Sequence, residues 1–198
     1  TRQFGTRDLA GFGCSGLPLA IGAAGALLGY VRHAQQGALP HLTSLAVERE
    51  DAYIRLDAAT RRNLELTETL RGEPAPTLAS VLDRTATSMG ARLLRHWLHH
   101  PLTDRAHIEA RHGAVETLGD PQSPCHADIR RLFATWVDVE RITTRIALRT
   151  ARPRDLSGLR DTLATLPQLM ACLPAGRAPC LDALAEKLAP KASLQDLL

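Results

Sequence analysis

Asp57-Ala58-Ala59-Thr60-Arg61-Arg62-Asn63-Leu64-Glu65 is the stretch from which the fold of this chain is read. Asp57 stands where a helix needs an N-cap. Its carboxylate can accept from the orphan amides of the first turn and faces the positive end of the helix dipole. Ahead of it, Leu45 and Val47, then Ile54 and Leu56, alternate on either side of Glu50-Asp51. Period-two apolar residues around a polar turn predict a small β-hairpin over 42–49 and 52–56. The helix opened by Asp57 is expected to run to about residue 70, where Arg71-Gly72-Glu73-Pro74-Ala75-Pro76 ends it.

Helical signals continue downstream. Thr77 is expected to cap a short helix with Leu78, Val81 and Leu82 inward, and Ser88 to cap another over 89–99 with Leu93, Leu94, Trp97 and Leu98 as its apolar stripe. Pro101 stops that helix. Thr103 or Asp104 starts the next, which reaches about residue 118 and buries Ile108, Val115 and Leu118. Gly119-Asp120-Pro121 turns the chain, and Ile129, Leu132, Phe133 and Trp136 form a further inward face. A helix over about 138–148 follows, and Pro153, well suited to a first turn, opens a longer one to about 172. The last elements are expected over 180–188 and from 192 onward. The fold class predicted is mainly α: an irregular helical bundle with one small β-hairpin.

Composition agrees with that class. The 198 residues are 44% hydrophobic, with only two tryptophans, two tyrosines and three phenylalanines, so packing is expected through aliphatic ridges of leucine and alanine. Cys14, Cys125, Cys172 and Cys180 show no C-x-x-C spacing, and a chain of this size needs no disulfide staples. Residues 9–31 carry no charge and contain Gly25-x-x-x-Gly29, the length of a bilayer span. Gly11, Gly13, Gly16 and Pro18 interrupt the first half, leaving a helix over about 17–35. Its small residues fit close packing against protein better than lipid. A hinge is expected at Gln36-Gly37-Ala38-Leu39-Pro40.

The net charge of +3 is far from that of a dense nucleic-acid binder. Its distribution says more. Arg141, Arg145, Arg149, Arg152, Arg154 and Arg160 fall in one twenty-residue window opposed only by Asp155. Spacings at 141, 145, 149 and 152 place four guanidiniums on one face of a continuous helix. Such a face is either solvated, paired with acidic groups, or in contact with phosphates. An autonomous DNA-binding helical domain using the Arg141 to Arg160 window is therefore the alternative function.

Chemistry is hard to find. His96 and His100 have the i, i+4 spacing of helical zinc sites, but Arg95, Trp97, Leu98 and His99 around them supply no third ligand. No G-x-S-x-G presents a nucleophile. Cys14, in Gly13-Cys14-Ser15-Gly16, reads as a small buried cysteine, and Glu48, Glu50 and Asp51 as turn acids. A P-loop needs G-x-x-x-x-G-K-[ST], yet the only lysines are Lys187 and Lys191, and neither follows a glycine. Catalytic, cofactor-binding and metal residues are therefore not assigned. Arg61, Arg62 and Asn63 are more distinctive. Three successive helical residues fan over about 200°, so at least one must meet neighbouring structure. Asp57, Arg61, Arg62 and Asn63 are taken as a structural junction.

The Asp57 to Glu65 run, together with Ala147-Leu148-Arg149-Thr150-Ala151-Arg152-Pro153-Arg154-Asp155-Leu156, resembles the core region of the MutS family of DNA mismatch-repair proteins. The likeness extends through residues 35–40, through Ser88-Met89-Gly90-Ala91-Arg92-Leu93-Leu94 and on to Pro101, in the family's order, and covers close to the whole chain. It implies that residues 1–36 are the C-terminal end of a connector domain and 37–198 the N-terminal part of a core, or lever, domain. The expected role is to couple an ATPase to a DNA clamp, without catalysis by this segment. ATP and Mg would be bound by the parent protein only. Its expected partners are mismatched duplex DNA and a MutL-type protein, and the parent is expected to be a cytoplasmic homodimer. The family's mismatch-reading Phe-x-Glu is missing, because Phe4, Phe12 and Phe133 are followed two positions later by Thr6, Cys14 and Thr135.

Overall fold

Pro18, with no amide to leave unsatisfied, opens the longest helix among the described residues, α1 (Pro18–Gln35). The computed structural model describes residues 1–35, 39, 42–48, 50–122 and 125–188. Its contacts divide the chain into two units, Thr1–Arg49 and Glu50–Leu198.

In the first unit a 3-10 turn, Ala10–Phe12, ends at Gly13, whose φ of 70° needs a residue without a Cβ. Phe12 packs on Phe4 with ring centroids 5.1 Å apart. Gln3 is the clasp of this unit. Its Nε2 donates to the carbonyls of Leu39 (2.7 Å) and Leu42 (3.0 Å), and its Oε1 accepts from Arg32 on α1 at 2.6 Å. Cys14 and Leu39 are buried, whereas α1 buries none of its own residues and leaves Leu19, Leu27 and Tyr30 exposed. Among the described residues no helix is long and apolar enough to cross a membrane. The hinge stretch lies outside the described residues apart from Leu39.

The second unit is helical, and the expected hairpin is not formed. Residues 42–48 carry no strand, Glu50–Ala52 is a 3-10 turn, and Arg49 lies outside the described residues. Tyr53 instead makes an isolated antiparallel bridge to Leu102. The Ile54 amide donates to the Pro101 carbonyl at 2.8 Å and the Thr103 amide to the Ala52 carbonyl at 3.1 Å. The Ile54 amide and the Ala52 carbonyl are thus satisfied by residues 101–103 and not by a hairpin partner.

Helix α2 (Ala58–Asn63) is far shorter than expected. Glu65 takes a left-handed φ of 47° and its carboxylate accepts the Leu70 amide at 2.7 Å, which turns the chain so that Leu66 is buried. Thr77 does cap α3 (Leu78–Leu82), in a reciprocal box with Ser80. The inward residue is Ala79, while Leu78, Val81 and Leu82 are exposed. The Leu78 and Ala79 amides bond the carbonyls of Glu65 and Leu66, which fixes that rotation.

The cap of α4 (Ser88–His99) is Thr87, whose hydroxyl accepts the Gly90 amide at 3.0 Å. Ser88 is thereby freed for a longer reach. On α4 only Leu94 and Leu98 of the expected stripe are half-buried, with Leu93 and Trp97 more exposed. Asp104 caps α5 (Arg105–Leu118). Its buried residue is Ala114, with Ile108 and Leu118 half-buried as expected in kind, whereas Val115 is 68% exposed and Ala114 takes the place expected for it.

Helices α6 (Cys125–Phe133), α7 (Val139–Ala147), α8 (Pro153–Ala164), α9 (Leu166–Cys172) and α10 (Pro179–Leu188) complete the described bundle. The expected single helix over 153–172 is two, because Pro167 has no amide to continue the ladder and Thr165 serves as the joint. Cys125, Ile129 and Leu169 form one core, wrapped by Leu132, Phe133, Trp136 and Leu166. Ala114, Ala178 and Leu181 form another between α5 and α10, and Leu118 touches both. The four cysteines are unpaired, with Cys14 and Cys125 buried. The helix expected from 192 lies outside the described residues. Mainly α is thus the observed class, without the hairpin.

Candidate functional site

Helix α7 is nine residues long, too short to be stable alone. It buries only Ile142 and is held mainly by its two ends. At its N-terminus Asp138 is the cap, accepting the Arg141 amide at 3.2 Å. The same carboxylate accepts both terminal nitrogens of Arg92 on α4, each at 2.8 Å, and the Ser88 hydroxyl at 2.9 Å. Arg92 Nη2 also reaches Glu140 at 2.5 Å. This fork-on-fork arrangement fixes direction as well as distance. Arg92 holds the Asp138 carboxyl well below the usual carboxylate range, helped by the Arg141 amide and Ser88. In return, the two carboxylates push the guanidinium further up.

The far end of α7 is tied to α8. Arg145 donates to Asp155 Oδ1 at 2.7 Å, and Asp155 Oδ2 accepts the Arg152 amide at 3.0 Å. Asp155 is buried, with an exposure of 7%. It stays ionised because the Arg152 amide and then the Arg145 guanidinium lower its pKa against burial. The segment that leads into α7 is fastened to the end of α8. The Val137 amide donates to the buried Thr162 hydroxyl at 3.2 Å, and Trp136 Nε1 to Thr165 Oγ1 at 2.8 Å. Gly158 lets α8 approach, since a Cβ there would lie 2.8 Å from Val137 Cγ1.

Three residues of the junction expected at 57–63 bond to nearby backbone. Asp57 accepts the Thr60 amide at 2.6 Å, which lowers its pKa. Arg61 Nε donates to the Leu56 carbonyl at 3.0 Å and Arg62 to that of Leu70 at 3.4 Å, while Asn63 is exposed. The run clasps the segments on either side of itself. Its link to α4 goes through Thr67, whose hydroxyl lies 3.1 Å from His99 Nε2. Burial and the nearby Arg61 lower the His99 pKa. His96 and His100 stack on each other at 4.3 Å and meet the edge of Tyr53. Among the described residues no group of three or more His, Cys, Asp or Glu could hold a metal ion.

The four-guanidinium face does not exist as a face of one helix. Helix α7 ends at Ala147, Arg149 turns left-handed at φ 56°, and Arg152 precedes α8. Arg141 pairs with Asp138 at 3.5 Å, Arg145 with Asp155 and Arg160 with Asp161. Arg149, Arg152 and Arg154 remain exposed. Sequence reasoning located Asp138 and Pro153 as helix starts but missed Arg92 and Glu140 as partners. No local pattern links positions 46 and 48 residues apart.

Two family models match the chain. One, described as MutS domain III, covers residues 59–198, and the other, MutS domain II, covers residues 1–43.

Proposed function

The chain belongs to the MutS family of DNA mismatch-repair proteins, and we propose that it is the segment through which a mismatch-reading clamp and an ATPase of the parent protein sense each other. In this reading residues 1–36 end the connector domain, residues 37–198 begin the core, and the segment itself catalyses nothing. ATP with Mg, mismatched duplex DNA, a MutL-type partner and a second copy of the parent are engaged through the whole protein, in the cytoplasm. The observation that carries the reading is the double fastening of α7: Arg92–Asp138 at one end and Arg145–Asp155 at the other. A short helix clamped by ion pairs at both ends moves with its neighbours as one body, as an element transmitting a displacement must.

The test is Arg92→Ala in an intact MutS protein carrying this segment. Mismatch binding and basal ATP hydrolysis are expected to persist while the effect of a mismatch on nucleotide turnover weakens. Unchanged coupling in a folded variant would sink the proposal.

A further inference from the structure

Three histidines stand at the end of α4, His96, His99 and the C-cap His100, and they are not in the same state. His99 Nε2 is held by the Thr67 hydroxyl at 3.1 Å, and its Nδ1 is buried without a partner. His96 and His100 face Tyr53 instead, with their rings stacked at 4.3 Å and tilted by 25°. The His96 carbonyl accepts both the His100 amide at 2.9 Å and His100 Nδ1 at 3.0 Å. A carbonyl can only accept, so Nδ1 carries the proton and the neutral ring keeps its lone pair on Nε2. That Nε2 and both ring nitrogens of His96 have no hydrogen-bond partner among the described residues. His96 is exposed and His100 half-buried.

We propose that His96 and His100 form a two-histidine chelate for a late transition-metal dication such as Zn²⁺, with water completing the shell. Spacing alone did not assign them, for want of a third ligand, and among the described residues no third His, Cys, Asp or Glu joins the pair. The structure adds two things that spacing lacked. The rings do meet, as side chains four residues apart on a helix can. The His100 tautomer is also set, because a ring N–H donated to a backbone carbonyl is what leaves the other nitrogen ready for a metal. No hydrogen bond holds the His96 ring and its terminal torsion is soft, so turning one of its nitrogens beside His100 Nε2 costs little more than the stacked contact. Two imidazoles without a carboxylate suit Zn²⁺, Ni²⁺ or Cu²⁺, whereas Mg²⁺ and Ca²⁺ call for oxygen ligands. A bound ion would staple the last turn of α4 beside the Tyr53–Leu102 bridge. This site is independent of the coupling role.

Zn²⁺ alone, added to the 198-residue chain, tests it. Zn²⁺ is expected to raise the thermal midpoint by binding the folded state, and Mg²⁺ to leave it unmoved. In a proton–nitrogen correlation spectrum of the imidazoles, the His96 and His100 resonances should shift together while those of His99 stay. His96→Gln and His100→Gln should each abolish the rise in midpoint. His112→Gln, which removes an exposed histidine of α5, should keep it. A midpoint unmoved by Zn²⁺ in the wild type, an equal rise with Mg²⁺, or a rise that survives in either His96→Gln or His100→Gln overturns the proposal. Should either variant fail to fold, the wild-type spectrum decides, since His96 and His100 resonances that do not respond to Zn²⁺ overturn it as well.

Discussion

Arg92 and Asp138 face each other across 46 residues of sequence in a two-pronged ion pair, one 2.8 Å bond from each terminal nitrogen to its own carboxylate oxygen. Asp138 is also the cap of α7 and the acceptor of Ser88, so the two partners are not equivalent. Asp138→Ala is expected to destabilise more than Arg92→Ala, because it adds the loss of a helix cap, about 1 kcal/mol, to the loss of the pair. Thermal denaturation of both single variants and the double variant checks this. The double variant should fall short of additivity, and additive losses would show that the pair contributes no coupling.

Acid should loosen both ends of α7 together. The carboxyls of Asp138 and Asp155 titrate below their ordinary 3.8, so the unfolded chain binds protons first as pH falls. Their stabilisation is complete well above 3.8 and is lost as pH drops through the lower folded-state values. Asp155→Asn keeps the shape but not the charge. Its stability should be lower at neutral pH and should fall less steeply below pH 3.8 than that of the wild type, as followed by helical circular dichroism.

His99 works in a higher window. Burial and Arg61 push its pKa below 6.5, so the unfolded chain takes up a proton that the folded chain resists. Stability is unaffected above 6.5 and decreases as pH falls from there towards the folded value. The thermal midpoint should therefore drop between pH 7.5 and 5.5, and His99→Gln should reduce that drop. An equal drop in the variant would assign the effect to other histidines.

Gly158→Ala sets two effects against each other. Alanine gains about 1 kcal/mol of helix propensity, but its Cβ would stand 2.8 Å from Val137 Cγ1. Overpacking costs about 1–3 kcal/mol and should win, since Val137 is fixed by the hydrogen bond its amide donates to the Thr162 hydroxyl. Combining it with Val137→Ala should restore part of the loss, as read from urea denaturation. A stabilised single variant would show that α8 can move away freely.

Leu169 and Val115 make a paired test of the core. Leu169 is 2% exposed at the centre of its cluster and Val115 is 68% exposed. Leu169→Ala should cost about 2–5 kcal/mol, whereas Val115→Ala should change stability by less than about 0.5 kcal/mol.

The elements legible in the sequence were those with a local cause. Asp57 and Thr77 cap helices as expected, and Asp104 and Asp138, read as helix starts, prove to be caps too, because a cap needs only a side-chain oxygen two or three residues ahead of an orphan amide. Pro153 marks a first turn for another local reason, since it has no amide to leave unsatisfied there. Family membership was legible too, since it resides in runs of residues and not in their positions in space.

Other features depended on contacts that no local pattern encodes. The alternation at 45–56 is that of a hairpin, but residues 52–54 bond to residues 101–103 instead. The inward faces of α3 and α5 were set by Ala79 against Leu66 and by Ala114 against α10, because helix rotation follows the neighbour and not the largest side chain. The arginine window read as one face until Arg149 reversed the chain after Ala147. The sequence by itself determined the helical class, the starts of most helices and the family. Tertiary structure alone decided that Arg92 and Asp155 are the two anchors of α7, because an ion pair over tens of residues, or across a turn, exists only once the backbone has brought its halves together.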